Sequence, residues 1–264
     1  MTIPTPFLNR PRFGLDAPDV VRNLFLVTVA GFGVWLLGLS LQFVLWSDSP
    51  NPFRIILPLQ DMGPWVGLTC GLTGFAMIWY SYVGKLHMRE RLLDLVPWHG
   101  DERVLDVGCG RGLMLLGVAA RVPAGRVTGI DLWQGEDLTG NCPAATRANA
   151  QAAGVADRVE VQTGDARQLP FADASFDVVV STAALHNIYE AAGRAQAVRE
   201  IARVLKPGGR VVLADMRHTR QYADVLGRSG LDDIRHEKGF LAVPALLLTF
   251  GSVRPGTVTA HKPL

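Results

Sequence analysis

The chain is short of charge. Asp, Glu, Lys and Arg make up 19% of its 264 residues, against 48% apolar residues, where soluble domains carry ~25% charge. The formal net charge is only +2. A strongly basic balance is therefore excluded. No basic stripe with interleaved aromatics appears either, so nucleic acid is not an expected partner. Cysteine is also scarce: Cys70, Cys109 and Cys142 are the three in the sequence. Their spacing fits neither a disulfide framework nor a metal-ligand pattern. No metal is expected, and the thiols are expected to be reduced, as in the cytosol. Internal repeats and low-complexity tracts are lacking.

The shortage of charge is local. No charged residue lies between Arg22 and Asp48, or between Asp61 and Lys85. Leu24–Trp46 and Pro64–Val83 are therefore expected to be two membrane-spanning helices, since ~20 apolar residues cross a hydrocarbon core of ~30 Å. Trp46, Trp65, Trp79, Tyr80 and Tyr82 lie near the span ends, where aromatic rings favour the headgroup zone. A signal peptide would need a shorter apolar region and a small-residue cleavage site. Arg10, Arg12 and Arg22 precede the first span, and Lys85, Arg89 and Arg91 follow the second. Only Arg54 lies between them. The positive-inside rule then predicts a multi-pass protein with its N-terminus and the domain after the second span both in the cytoplasm. Gly67 and Gly71 form a small-xxx-small pair. It suits close approach of the two helices, or of two protomers in a homo-oligomer; the alternative is that glycine is simply common in membrane helices. Residues 1–88 thus read as a bilayer anchor and 89–264 as a separate domain.

In that domain β-branched runs alternate with helical stretches. Strands are predicted at Arg103–Val107, Arg126–Ile130, Arg158–Gln162, Phe176–Ser181 and Arg210–Ala214, and near Asp233–His236 and Thr257–Ala260. Helices are predicted at Leu113–Val122, Ala144–Ala153, Arg194–Leu205 and Gln221–Ser229. This alternation predicts an α/β fold, a doubly wound, Rossmann-like parallel sheet with helices on both faces. Ligands of such sheets sit beyond the C-terminal strand ends. The first strand there runs into Gly108, Gly110 and Gly112, Asp131 ends the second, and Asp165 follows the third. Glycine lets a backbone turn tightly and approach a ligand. An acid about 20 residues beyond a glycine loop suits ribose hydroxyls. A nicotinamide dinucleotide site would need G-x-G-x-x-G, whereas the spacing here is G-x-G-x-G.

Five segments in order carry a resemblance: VLDVGCGRG (104–112), GIDL (129–132), GDARQLPF (164–171), SFDVVVS (175–181) and LKPGGRVVLADM (205–216). They resemble the successive motifs of class I S-adenosylmethionine-dependent methyltransferases, quinone-biosynthesis methyltransferases among them. The resemblance implies a seven-stranded sheet whose last strand is antiparallel, and S-adenosyl-L-methionine as cofactor. It implies that Asp106, Gly108 and Gly110 line the methionine moiety and that Asp131 holds the ribose. Leu132 would then lie against the adenine, Asp165 and Ala166 beside its amine, and Ser181 near the sulfonium. Structural readings stand beside these: Asp106 as a turn cap, Asp131 as a helix-start acid, Asp165 as half of a Gly-Asp turn.

Methyl transfer from a sulfonium needs alignment above all, with a base where the nucleophile must lose a proton. His186, in the loop after the fourth strand, is the candidate base, with Asn187 beside it; the alternative is a histidine that packs or caps the next helix. The loop Leu132–Pro143 is long enough to cover a cofactor. The apolar run Phe240–Phe250 either lines a greasy pocket or leads to the last strand. Membrane attachment points to a small-molecule or lipid-like methyl acceptor. The second class of function is a non-catalytic S-adenosylmethionine sensor or scaffold at the membrane. Arsenite methyltransferases share the motifs but use additional cysteines that this chain lacks.

Overall fold

The computed structural model describes residues 11–44, 54–136, 138–239 and 254–264. The apolar run Phe240–Phe250, Arg10 and Trp46 lie outside them. The chain divides into two compact units: Leu15–Gly84 with Glu136–Thr139, and Met1–Gly14 with Lys85–Gly135 and Gly140–Leu264.

The first unit is a helical hairpin. Helix α1 runs Pro18–Leu36, strand β1 Leu41–Val44, strand β2 Arg54–Leu57 and helix α2 Leu59–Trp79, followed by a π-helical turn at Tyr80–Gly84. At ~1.5 Å per residue the two helices are about 28 and 32 Å long. Both are long and apolar enough to cross a membrane. The first helix does not follow the predicted span 24–46. Pro18 opens it at the first helical turn, where a missing N–H costs nothing. It ends ten residues early because Gly38 adopts φ +62° and turns the chain into β1, which pairs antiparallel with β2 from Leu41↔Leu57 to Val44↔Arg54. An apolar run suits a helix and a strand equally, so hydropathy alone hid the break. The second helix starts at Leu59 rather than Pro64, and Pro64 lies inside it.

The two helices meet through small residues. The space beside Gly31 and Gly63 is filled by each other's backbone, Gly67 faces Phe32 and the Thr28 carbonyl, Gly71 faces Thr28, and Gly74 faces Phe25. Within this chain the Gly67–Gly71 pair therefore serves its own hairpin. The opposite surfaces are apolar and exposed: Leu26, Val29, Trp35 and Leu36 on α1, and Trp65, Leu72, Phe75 and Trp79 on α2.

The second unit is the α/β domain. Its elements are α3 (Lys85–Leu93), β3 (Arg103–Val107), α4 (Leu113–Arg121), β4 (Arg126–Asp131), α5 (Pro143–Ala152), β5 (Val159–Thr163), β6 (Phe176–Thr182), α6 (Ala191–Val204), β7 (Leu205–Asp215), α7 (Thr219–Arg228), β8 (Asp232–Lys238) and β9 (Gly256–His261). The sheet order is β5-β4-β3-β6-β7-β9-β8. Strands β3 to β7 are parallel, and β9 enters between β7 and β8 antiparallel to both. This is the seven-stranded, doubly wound sheet expected from the sequence. The order reverses beside β3, which carries the glycine loop, and sheets of this kind bind ligands at such a point.

Apolar side chains bury both faces. One cluster joins Leu105, Ile130, Val179, Leu213 and Val258 to Val198, Ile201 and Leu226 of α6 and α7. The other joins Val104, Val127, Val178 and Val212 to Leu93 of α3 and to Leu115 and Val118 of α4. Alternation along β3 thus feeds both cores, each buried Leu or Val contributing ~1.5–3 kcal/mol. What this rigid body leaves at its upper edge is the row of C-terminal strand ends.

Candidate active site

Three strand ends meet around the glycine loop. The amides of Gly108 and Cys109 donate to the Ile130 carbonyl at 2.8 and 3.2 Å. The Gly110 amide donates to Asp131 Oδ2 at 2.8 Å. From α5, Thr146 Oγ1 donates to the Gly110 carbonyl at 2.7 Å and Asn149 Nδ2 to the Arg111 carbonyl at 2.9 Å. Gly108 has φ +76°, and a Cβ there would run into the Cβ of Ala184. Glycine is required at this point for both backbone conformation and space. The same contact brings the loop after β6 against the glycine loop.

The acids sit in different surroundings. Asp106 is buried, at 1% exposure. Burial pushes its carboxyl up to about 8, opposed by the Leu115 amide that donates to it and assisted by the charge of Asp131. Among the described residues its Oδ2 has no hydrogen-bond partner. A buried polar atom left in this way is costly. A cation beside that oxygen would satisfy it and favour the ionised carboxylate.

Asp131 is the hub of the next loop. Its Oδ1 accepts from the Trp133 amide at 2.6 Å and from Asn141 Nδ2 at 3.3 Å. Leu132 beside it is an apolar side chain that is 50% exposed. Asp165 is gripped by Arg167: Nε lies 3.0 Å from both carboxylate oxygens and Nη2 2.6 Å from Oδ2. Those hydrogen bonds hold its carboxyl below the usual range. The Arg167 amide also donates to Oδ1, which is the Asx-turn that the Gly-Asp pair suggested. Ala166 packs against the core under it.

Ser181 is buried and donates its hydroxyl to the Val107 carbonyl at 2.7 Å. It links the end of β6 to the end of β3. His186 lies in a short 3-10 turn, Leu185–Asn187. Its Nδ1 is 2.6 Å from Asp215 Oδ1, a close contact that is not aligned as a hydrogen bond. The His186 amide donates to Asp215 Oδ2 at 3.0 Å, and the buried Tyr222 hydroxyl donates to the same oxygen at 3.1 Å. Arg194 fixes the loop from below, its Nη1 donating to the carbonyls of Ile188 and Tyr189 at 2.7 Å each.

Asp106, Gly108, Gly110, Asp131 and Ser181 are thus joined through β3, β4 and β6, and Ala184 brings the His186 loop to the same edge. Asp165 stands at the end of β5, next to β4 in the sheet. Sequence reasoning missed Asp215, Tyr222, Asn141, Thr146 and Asn149. Asp215 was the accessible one: it is another acid at the C-terminal end of a strand, as Asp106 and Asp131 are.

Among the described residues no group of His, Cys, Asp and Glu is placed to hold a metal. Cys109 is buried, its thiol pushed well up by desolvation and then by Asp106 and Asp131, so it is a packing residue under the loop rather than a nucleophile.

Known proteins resemble this part of the chain. Residues 105–213 match the methyltransferase-domain family, less than half of the chain. A 27-O-demethylrifamycin SV methyltransferase of Amycolatopsis mediterranei is 38% identical over 130 residues, covering 48% of this chain and 43% of that protein. A ubiquinone/menaquinone biosynthesis C-methyltransferase UbiE of Geotalea daltonii is 35% identical over 133 residues, covering 50% and 53%. The chain spans about half the length of the curated relatives it matches. Among solved structures, a geranyl diphosphate C-methyltransferase of Streptomyces coelicolor aligns with TM-score 0.54 at 18% identity, over 67% of this chain and 78% of that one. The [4+2]-cyclase SpnF aligns with TM-score 0.56 at 19% identity, over 95% and 99%. Those two likenesses concern the fold alone, and a cyclase among them shows how far chemistry varies on it.

Proposed function

With a methyltransferase domain at residues 105–213, we propose that this chain is a membrane-anchored S-adenosylmethionine-dependent methyltransferase acting on a small, apolar or membrane-associated acceptor. The observation that carries the reading is the cradle at β3: Gly108, with no room for a side chain, near a buried carboxylate with an oxygen unpartnered among the described residues. These residues fit the cofactor. Asp106, Gly108 and Gly110 would hold its methionine end, where a cationic ammonium suits Asp106. Asp131 and Leu132 would hold its ribose and adenine, with Asp165 and Ala166 beside the amine once Arg167 yields the carboxylate. Ser181, whose hydroxyl ties the end of β6 to the end of β3, would sit near the sulfonium. The bound cofactor supplies an activated methyl group.

The chain's own task is to align an acceptor and, where required, take its proton. His186 stands in the loop that meets Gly108 through Ala184. Asp215, held by Tyr222 and by the His186 amide, sits against Nδ1. This arrangement suits His186 for removing a proton from an acceptor hydroxyl or amine at Nε2. Asp215 would orient the ring and balance its charge. His186→Gln is expected to lower kcat by about 10²–10⁴-fold with little change in cofactor affinity.

The two apolar helices, with their outward Trp, Phe and Leu side chains, support insertion in a bilayer. A contiguous apolar surface of this kind on a water-soluble protein would be a liability. The distribution of Arg and Lys supports a cytoplasmic catalytic domain. An acceptor that partitions into lipid then follows as the reading most consistent with the anchor. The names of the relatives, which include quinone methyltransferases, agree with a small-molecule acceptor.

The test incubates the purified full chain with methyl-labelled S-adenosylmethionine and a membrane lipid extract. Label is expected in a low-molecular-weight apolar product, and is lost in His186→Gln. Tight cofactor binding with no label transferred would support the sensor or scaffold instead.

A further inference from the structure

The carboxylate that an adenine amine would need is already occupied by the protein itself. Asp165 Oδ1 accepts from the Arg167 amide at 2.8 Å and from Arg167 Nε at 3.0 Å. Its Oδ2 accepts from the same Nε at 3.0 Å and from Nη2 at 2.6 Å. A carboxylate offers about four acceptor sites, so a further donor must displace part of this set. The backbone underneath is fixed. The Gly164 amide donates to the Asp131 carbonyl at 3.1 Å, and Ala166 packs against the core. The ion pair itself stands in solvent, with the Arg167 side chain 48% exposed and that of Asp165 31% exposed. Pairs of this kind are weak and part readily, whereas a buried pair would be costly to break.

A second acid lies within reach of the same guanidinium. Glu190 is the residue before α6. Its charge attracts Arg167, yet among the described residues the ion pair of Arg167 is with Asp165. Gly193, in the first turn of α6, marks the space between the two side chains. A Cβ there would stand 3.4 Å from Arg167 Cδ, 3.9 Å from Glu190 Oε2 and 2.9 Å from Ile188 Cγ2. Glycine leaves that space open, so rotation about the Arg167 side-chain bonds can carry the guanidinium from one carboxylate to the other. Glu190 also ends the loop after β6, which bears His186 and Asn187 in its 3-10 turn. Arg194 holds that loop by the carbonyls of Ile188 and Tyr189.

Resting on the cofactor reading above, we propose that Arg167 is a positioning residue that passes from Asp165 to Glu190 when the cofactor binds. The adenine amine takes the Asp165 oxygens, and the displaced guanidinium pairs with Glu190. Arg167 has a carboxylate partner before and after, and Asp165 keeps a donor throughout. The new pair adds a tether to the loop that carries His186, so the acceptor side is completed by the residue that the cofactor releases. Cofactor therefore binds before acceptor.

The experiment titrates S-adenosylhomocysteine into the full chain in nanodiscs of phosphatidylethanolamine and phosphatidylglycerol. Arg167→Met removes the internal competitor for Asp165, and affinity is expected to rise about 2- to 5-fold, the scale of an exposed ion pair. S-inosylhomocysteine, with a carbonyl oxygen in place of the amine, should gain nothing from the same change. Glu190→Gln removes the second partner and should lower S-adenosylhomocysteine affinity about 2-fold. Hydrogen exchange at residues 187–190 should slow on binding in the wild type and in neither variant. A merely structural role for Arg167 would make its loss weaken binding rather than tighten it. Both side chains are exposed, so both variants are expected to fold. Wild-type binding overturns the hand-over and spares the cofactor reading if affinity fails to rise in Arg167→Met or to fall in Glu190→Gln. Loop protection equal in wild type and variants does the same. No binding by the wild type overturns both.

Discussion

The two units of this chain solve opposite solvent problems with the same residue types. In the α/β domain, Leu and Val go inside, and the buried polar residues concentrate at one edge of the sheet, with Asp106, Ser181 and Asp215 among them. In the hairpin, Trp, Phe and Leu go outside, and glycines occupy the contact between the helices. Glycine has a different task in each. At Gly108 it leaves room between the loops that follow β3 and β6. At Gly31 and Gly63 it lets two helix backbones touch. The contrast teaches that a glycine's meaning comes from what fills the space where its Cβ would be.

Exchanging glycine for a larger residue in each unit tests that contrast. Gly108→Val is expected to have the largest effect. Its side chain meets Ala184 and its backbone resists φ +76°, so binding of S-adenosylhomocysteine should fall at least 100-fold. Gly63→Leu should instead leave that affinity within a few-fold and loosen the hairpin, seen as faster proteolysis between α1 and α2 in detergent. The Gly63 Cβ would run into the Gly31 backbone, which cannot step aside as a side chain can. Equal effects of both changes on cofactor affinity would erase the distinction between the units.

A smaller effect sharpens the account of the buried acid. A free Asp titrates near ~3.9, and burial raises Asp106 to about 8. Between those values the unfolded chain is ionised while the folded, ligand-free protein holds the proton. The folded state binds more protons, so this group destabilises increasingly as pH rises from about 4 to 8, and no further above. Asp106→Asn removes that slope. The difference in melting temperature between variant and wild type should grow in the variant's favour, by several degrees, from pH 5 to pH 8. A constant difference would mean that Asp106 is ionised throughout. The variant should lose cofactor affinity as it gains stability, the exchange expected of a functional group held in an unfavourable setting.

Much of the α/β unit was legible because its signals are local. Arg103–Val107 is a strand in sequence and structure alike, since β-branched residues and a following glycine cluster mark both of its ends. The three acids Asp106, Asp131 and Asp165 were legible because strand ends can be read from where the apolar runs stop. The His186 contact with Asp215 was not, since it joins loops after β6 and β7 that only the parallel register brings side by side. The hydrogen bonds between the Arg12 backbone and the Asn149 side chain were hidden for the same reason, at a separation no periodicity reports. The end of α1 at Leu36 was obscured because residues 37–46 stay apolar after the helix stops.

The central claim is a single adenosine-binding cleft at the tips of β3 and β4, and titrating S-adenosylhomocysteine into the full chain measures it most directly. The account predicts saturable one-to-one binding by the wild type. It predicts loss of that binding in Asp131→Ala, which removes the acceptor of the Gly110 amide and of the ribose together. Unchanged affinity in Asp131→Ala, or no binding by a folded wild type, would contradict it.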